Sequence, residues 1–199
     1  VSRDWSSDVC SSDLVSLAQI CIVNPKLKLG SGGFAPYIPM ERISTSGYRV
    51  RGVAPREVGS GARFQNGDTL VARITPCLEN GKVAFIDVLA EKETGWGSTE
   101  LIVLRGHPHV DPFIPYLIAR SDEFRDYAVG RMSGSSGRQR CPAEAVESFP
   151  TAIPSIEGLE AFSAIAIGRR EMMERYNDEI ESSVEVRDFL LPDRKSTRL

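Results

Sequence analysis

Three short strings hold side chains able to grip an anion or read a hydrogen-bonding edge: ITPCLENGK from Ile74, GSTE from Gly97 and MSGSSGRQR from Met132. In and just before the first, Arg73, Thr75, Asn80 and Lys82 are donors suited to phosphate oxygens or base edges, where Asn pairs with adenine and Arg with guanine. The second offers the hydroxyls of Ser98 and Thr99. In the third, Gly134 and Gly137 let the backbone approach a ligand closely, and Ser136 and backbone N–H groups can hold phosphate. Arg138, Gln139 and Arg140 reach farther, and Arg131 adds to the same positive field. Each string also has a plainer reading. Asn80-Gly81 can simply turn a hairpin, Ser98 and Thr99 can satisfy local backbone groups, and the arginines can pair with an acidic helix beyond them. Glu100 reads as structural, because its charge would repel a phosphate.

Chemistry of other kinds finds little support. The glycine-rich LGSGGF from Leu29 lacks both the lysine of a phosphate loop and the spacing of a dinucleotide fingerprint. There is no Asp/Asn-Pro-Pro-aromatic motif for adenine methylation and no nuclease-like cluster of carboxylates and lysine. His107 and His109 have too little ligand chemistry around them for a metal, and Cys77 with either histidine makes no recognisable nucleophile and base. The sequence therefore points to binding rather than catalysis, with no metal.

The elements that must position these strings are legible in outline. Short apolar runs broken by Gly, Pro and Asn predict strands over 17–23, 48–53, 69–74, 83–88 and 101–104, joined into a twisted, largely antiparallel sheet. Asp111-Pro112 predicts a helix start, with Asp111 as N-cap, Pro112 in the first turn, and Phe113, Leu117, Phe124 and Ala128 on one face up to Gly130. After Pro154, Ser155 can cap a helix that meets no proline until Pro192, up to about 36 residues or about 54 Å long. Phe162, Ile165, Met173, Tyr176 and Ile180 supply its apolar stripe, with a bend or break expected near Gly168. A helix of that length cannot bury its stripe on a small sheet domain, so these residues are expected to pack against a partner or a second helix.

Composition sets bounds on this picture. The 199 residues are 41% hydrophobic, enough for one filled core and an appendage. The net charge of -3 gives no global attraction to nucleic acid, so DNA binding requires a local basic surface. Residues 120–140 carry five arginines against three acids, whereas residues 157–181 carry three arginines against seven acids. A basic segment thus precedes an acidic helix. Cys21, Cys77 and Cys141 show no ligand or disulfide spacing and read as reduced thiols of a cytoplasmic protein, and no apolar run suggests a membrane. Residues 1–14 and 193–199 resemble translated sequencing-adapter sequence and are set aside. The native part is expected at about 15–192, itself the tail of a longer protein.

Taken together, FQNGDTLVARITPCLENGKVAF from Phe64, GSTELIVLR from Gly97 and MSGSSGRQR from Met132 resemble the target recognition domain of type I restriction-modification specificity subunits in order, spacing and residue type. ESSVEVRDFLLP from Glu181 resembles the close of that family's C-terminal half. Cys141 departs from the family pattern and is given no role. The resemblance implies an α+β fold: a β-rich twisted-sheet DNA recognition domain over 15–153, followed by a long spacer and docking helix over 154–192. It implies a non-catalytic subunit that reads one half of a bipartite double-stranded DNA target, alongside a second recognition domain. Its partners would be methyltransferase and motor-nuclease subunits, which would bind S-adenosylmethionine, ATP and magnesium. Two alternatives stay open: a recognition fragment of a fused restriction-methyltransferase, and a protein-interaction module with a helical stalk.

Overall fold

In a computed structural model the described residues are 14–29, 32–50, 52–135 and 137–152, with scattered helical positions between 168 and 190 and Leu191. The chain divides into two units, Val1–Ile153 and Pro154–Leu199. The first is a mixed α+β unit of ten short strands and three short helices among the described residues.

Its core lies between two four-stranded sheets. One has the order β2-β9-β6-β7 and is antiparallel throughout, from β2 (Cys21–Val23), β6 (Thr69–Ala72), β7 (Val83–Phe85) and β9 (Leu101–Gly106). The other has the order β4-β3-β8-β5, from β3 (Phe34–Ile38), β4 (Ala54–Glu57), β5 (Arg63–Phe64) and β8 (Gly95–Gly97). Within it β3 and β8 run parallel. Ile38, Phe64, Leu70, Ala84, Ile86, Leu101 and Val103 meet in one buried cluster contributed by both sheets.

Alternation along the strands sends their other residues to the opposite face of the first sheet. There Phe85 packs edge-on to Phe113 of α1 (Phe113–Arg120), with ring centroids 5.1 Å apart. With both faces covered, β6, β7 and the first four residues of β9 are buried at every position. This is why TLVA, VAF and LIVL read as unbroken apolar runs rather than alternating ones.

Several expected boundaries move. The run at 17–23 divides into a 3-10 turn, Leu17–Gln19, and the strand β2. The described residues of the run at 48–53 form no strand, although Arg49 bridges to Phe85. The single helix expected after Asp111 is two, α1 and α2 (Asp122–Val129), because Ser121 takes an extended backbone and its side chain accepts a hydrogen bond from Phe124 N. An N-cap of this kind starts a new helix rather than continuing the old one. Leu117, placed by periodicity on the buried face, is 38% exposed, and Tyr116 and Ala119 are buried instead. Asp111 does cap the entry, its Oδ1 accepting from Phe113 N at 2.8 Å.

The remaining elements close the unit. Phe124 of α2 packs on Phe149, and Leu17 N donates to Phe149 O. A two-stranded ribbon then joins β1 (Leu14–Ser16) to β10 (Pro150–Ala152), with α3 (Ala143–Glu147) just before it. Leu14, set aside at the sequence level, already pairs with Ala152, whereas residues 1–13 and 192–199 lie outside the described residues. In the second unit every described position from 168 to 190 is helical, Gly168 included. Among the described residues no helix is long and apolar enough to cross a membrane.

Candidate nucleic-acid interface

The three strings converge on one edge of the first unit. As the chain leaves β6, Arg73 N donates to Glu100 O at 3.0 Å, and Arg73 O accepts from Cys141 N at 2.8 Å. Two residues on, Thr75 N donates to Gln139 O at 3.1 Å, and Ile74 bridges to Arg140. The segment after β6 is therefore flanked by the GSTE string on one side and the GRQR string on the other. A side-chain contact ties the flanks together: Arg140 Nε and Nη2 donate to the two carboxylate oxygens of Glu100 at 2.8 and 2.6 Å.

The third string forms a closed loop on this edge. Ser133 and Arg140 exchange backbone hydrogen bonds at 3.1 and 2.9 Å, and Arg138 N donates to Ser135 O inside the loop. Gly134 and Gly137 have φ of +124° and +79°, a region that side chains with a Cβ rarely adopt. Their role is thus conformational, and it leaves Arg138 exposed at the tip with no side-chain partner among the described residues.

The first string is the loop of the β6–β7 hairpin, wound into a compact turn. Leu78 N donates to Ile74 O, Asn80 N to Pro76 O and Lys82 N to Cys77 O, each at 3.0 Å, and the Thr75-Pro76 bond is cis. Thr75 Oγ1 reaches Glu79 at 3.3 Å, and Lys82 Nζ donates to Met40 O at 2.9 Å. Asn80 is exposed, its side chain unpartnered among the described residues. In the second string Ser98 Oγ accepts from Glu100 N at 3.1 Å, while Thr99 is exposed.

The sequence-level candidates thus separate by what they hold. Thr75, Lys82, Ser98 and Arg140 have internal partners and shape the edge. Asn80, Thr99, Arg138 and Gln139 present side chains that the described residues leave free. Arg131 stands over the Tyr127 ring, 3.3 Å from its centroid, with Nη1 3.3 Å from Tyr127 O. Ser136 lies outside the described residues. The arginines of the loop were expected to pair, if at all, with the acidic helix, but the partner of Arg140 is Glu100. Trp96, just before the second string, is buried against Tyr37, with Arg56 above the Tyr37 ring.

Electrostatics at the edge follow from the Glu100–Arg140 pair. The hydrogen bonds from Arg140 hold the Glu100 carboxyl below its ordinary value of 4.5; partial burial opposes this, and the charges of Arg140 and Arg73 add to it. A depressed folded-state value means that the pairing stabilises the fold above about pH 4.5 and is lost as acid protonates Glu100 below it. The expected result is that amides of the 133–140 loop lose protection from hydrogen exchange below pH 4.5, and that Glu100→Gln flattens this dependence. Exchange measured by NMR from pH 6 down to pH 3 checks it. Of the cysteines, Cys21 is pushed up to about 12, first by burial and then by Glu147. Burial also raises Cys141, against the charges of Arg73 and Arg131, so neither thiol is a poised nucleophile. Among the described residues no three His, Cys, Asp or Glu side chains gather to hold a metal ion.

Two curated proteins resemble a large part of the chain. The chain is 33% identical over 153 residues to the EcoAI type I restriction enzyme specificity subunit of Escherichia coli, covering 73% of this chain and 26% of the relative. It is 29% identical over 150 residues to the EcoEI specificity subunit of the same organism, covering 70% and 24%. The chain is a homologue of the type I restriction enzyme specificity subunits. It spans about a quarter of the length of these curated relatives. The fold agrees with that of solved specificity subunits. The HsdS subunit from Thermoanaerobacter tengcongensis matches with a TM-score of 0.60 at 16% identity, over 93% of this chain and 50% of that one. The type I S subunit from M. genitalium matches at 0.53 and 15%, over 88% and 43%. No family model matches the chain.

Two groups bearing on the specificity-subunit reading were passed over at the sequence level. Asp68, in FQNGD, is buried and accepts both Nε and Nη2 of Arg105 at 2.7 Å, so the string is held by a buried ion pair as well as by its turn. Lys26 and Arg63 stand near Arg73 and carry no motif that would have marked them. Of the expected helix-packing residues, Phe162, Ile165 and Met173 lie outside the described residues. Tyr176 and Ile180 are helical and about half exposed.

Proposed function

We propose that this chain is the DNA-reading part of a type I specificity subunit. Residues 15–153 form a target recognition domain that reads one half of a bipartite target. Residues 154–192 form a long helix that spaces this domain from a second one and docks methyltransferase subunits, with Phe162, Ile165, Met173, Tyr176 and Ile180 on its packing face. Such a helix, about 54 Å long, spans roughly one and a half turns of B-DNA at about 34 Å per turn, a workable separation for two half-sites. The chain performs no chemistry on DNA. S-adenosylmethionine, ATP and magnesium belong to the methyltransferase and motor-nuclease subunits, and the assembly works in the cytoplasm.

One observation carries this reading: in a homologue of specificity subunits, three donor-bearing strings far apart in sequence meet on one edge and leave Asn80, Thr99, Arg138 and Gln139 free. These four, with Arg73, Arg131 and Ser136, approach the DNA, while Thr75, Lys82, Ser98 and Arg140 hold the surface in shape. A few base contacts worth about 1 to 3 kcal/mol each define a short half-site. With few base contacts, one domain binds weakly, and its phosphate contacts make the binding fall steeply with salt. Arg138→Ala is expected to weaken binding to duplex DNA about tenfold at low salt, the loss of roughly one good contact. Fluorescence anisotropy checks it, and unchanged affinity in both Arg138→Ala and Asn80→Ala would place the interface elsewhere.

A further inference from the structure

A cleft of about 450 Å³ opens beside the edge where the strings meet, lined among others by Asn24, Lys26, Arg63, Arg73, Thr99 and Leu101. Among the described residues that line it, three are cations and none is an acid. In a chain with a net charge of -3, this is a local concentration of like charge; the acid that feels Arg73, Glu100, lies outside the lining and is already paired with Arg140. Arg63 is partly fixed, its Nη1 donating to Leu27 O at 3.1 Å. Arg73 Nε is buried and has no hydrogen-bond partner among the described residues. Guanidinium groups favour oxyanions able to take two donors at once, so two arginines lining one cleft suit a phosphate. Lys26, exposed at the mouth, supplies a third positive charge, and the Thr99 hydroxyl a neutral donor. The volume is far above the roughly 30 Å³ share of one water molecule.

We propose that this cleft binds a phosphate group, with Arg63 and Arg73 as its walls and Lys26 at its mouth. On the proposed function, on which this source assignment rests, the phosphate is a backbone phosphodiester of the DNA being read. Its capture fixes the register of the neighbouring free donors on the bases. Such a contact carries no sequence information itself, so losing it weakens all sequences alike.

The test compares the full chain with Lys26→Ala and with the Lys26→Ala, Arg63→Ala double variant. Lys26 is exposed, so its single variant keeps the fold if Arg63 proves necessary for it. Affinity for duplex DNA is measured across a sodium chloride series, and inorganic phosphate is titrated at constant ionic strength while the arginine Nε–H resonances are followed by NMR. The expected result is about tenfold weaker binding in the double variant, equal across sequences, with a slope of log K against log salt reduced by about 1. Phosphate-dependent shifts of Arg63 and Arg73 without a change of slope keep the site but assign it to a free phosphate. An unchanged slope with no phosphate-dependent shift overturns the proposal. Failure of the parent chain to bind DNA at all counts against the proposed function, and the phosphate titration then decides the cleft by itself.

Discussion

Replacing Asp68 with alanine is expected to lower the stability of the first unit by about 3 kcal/mol, as read from urea unfolding. The carboxylate is 1% exposed and takes three donors: Arg105 Nε, Arg105 Nη2 and the backbone N–H of Gln65, each at 2.7 Å. Truncating one partner of a buried pair leaves the other charge without compensation, commonly at about 3 to 5 kcal/mol. The Arg105 side chain is 28% exposed, so water restores part of the loss, and the lower end of that range applies. The pair also joins β9 to the turn before β6, the two central strands of the first sheet. Destabilisation of less than about 0.5 kcal/mol would show that the turn holds without the ion pair.

The Gly61→Ala variant should also lose about 3 kcal/mol, for a steric rather than an electrostatic reason. A Cβ at Gly61 would stand 1.8 Å from the carbonyl oxygen of Gly97, a backbone atom of β8. Gly97 is itself pinned: its N–H donates to Ala62 O, and a Cβ there would meet Ile38 O at 2.8 Å. Neither segment can give way without breaking the β3-β8 pairing or the contact with β5. Gly33→Ala, where an added Cβ meets nothing within 4 Å, is the matched control and should stay within about 0.5 kcal/mol of the parent. Equal thermal midpoints for the two variants would contradict the close approach.

These two sites mark where the sequence was and was not legible. β6, β7 and β9 stand out as apolar runs because both faces of their sheet are covered, so burial leaves its signature at every residue. The second sheet hides. β3 and β4 carry Pro36 and Pro55, opposite each other in the register, and β4 is exposed throughout as an edge strand, where a missing N–H is tolerated. β8 is the glycine-rich GWG, whose strand is set by close backbone approach rather than by side-chain propensity. The helix break at Ser121 was missed because the apolar spacing from Phe113 to Phe124 runs on across it.

The candidate interface was legible string by string but not as a surface. Each string advertises its donors locally, whereas the choice between an internal and a free donor depends on partners far along the chain. Glu100 and Arg140 are 40 residues apart, and Lys82 finds its acceptor 42 residues away, at Met40. Reading Glu100 as structural follows from charge alone, but no local signal names the arginine it holds. Lys26 and Arg63 were invisible for the complementary reason: only folding brings them beside Arg73.

The most direct test of DNA reading is selection from random duplexes. The full chain, with and without a cognate methyltransferase subunit, is incubated with random duplex DNA at low salt, and the retained molecules are sequenced. The expected result is enrichment of one short asymmetric half-site, the same in both mixtures and stronger with the subunit present. Retention without any enriched sequence, or no retention in either mixture, would contradict it.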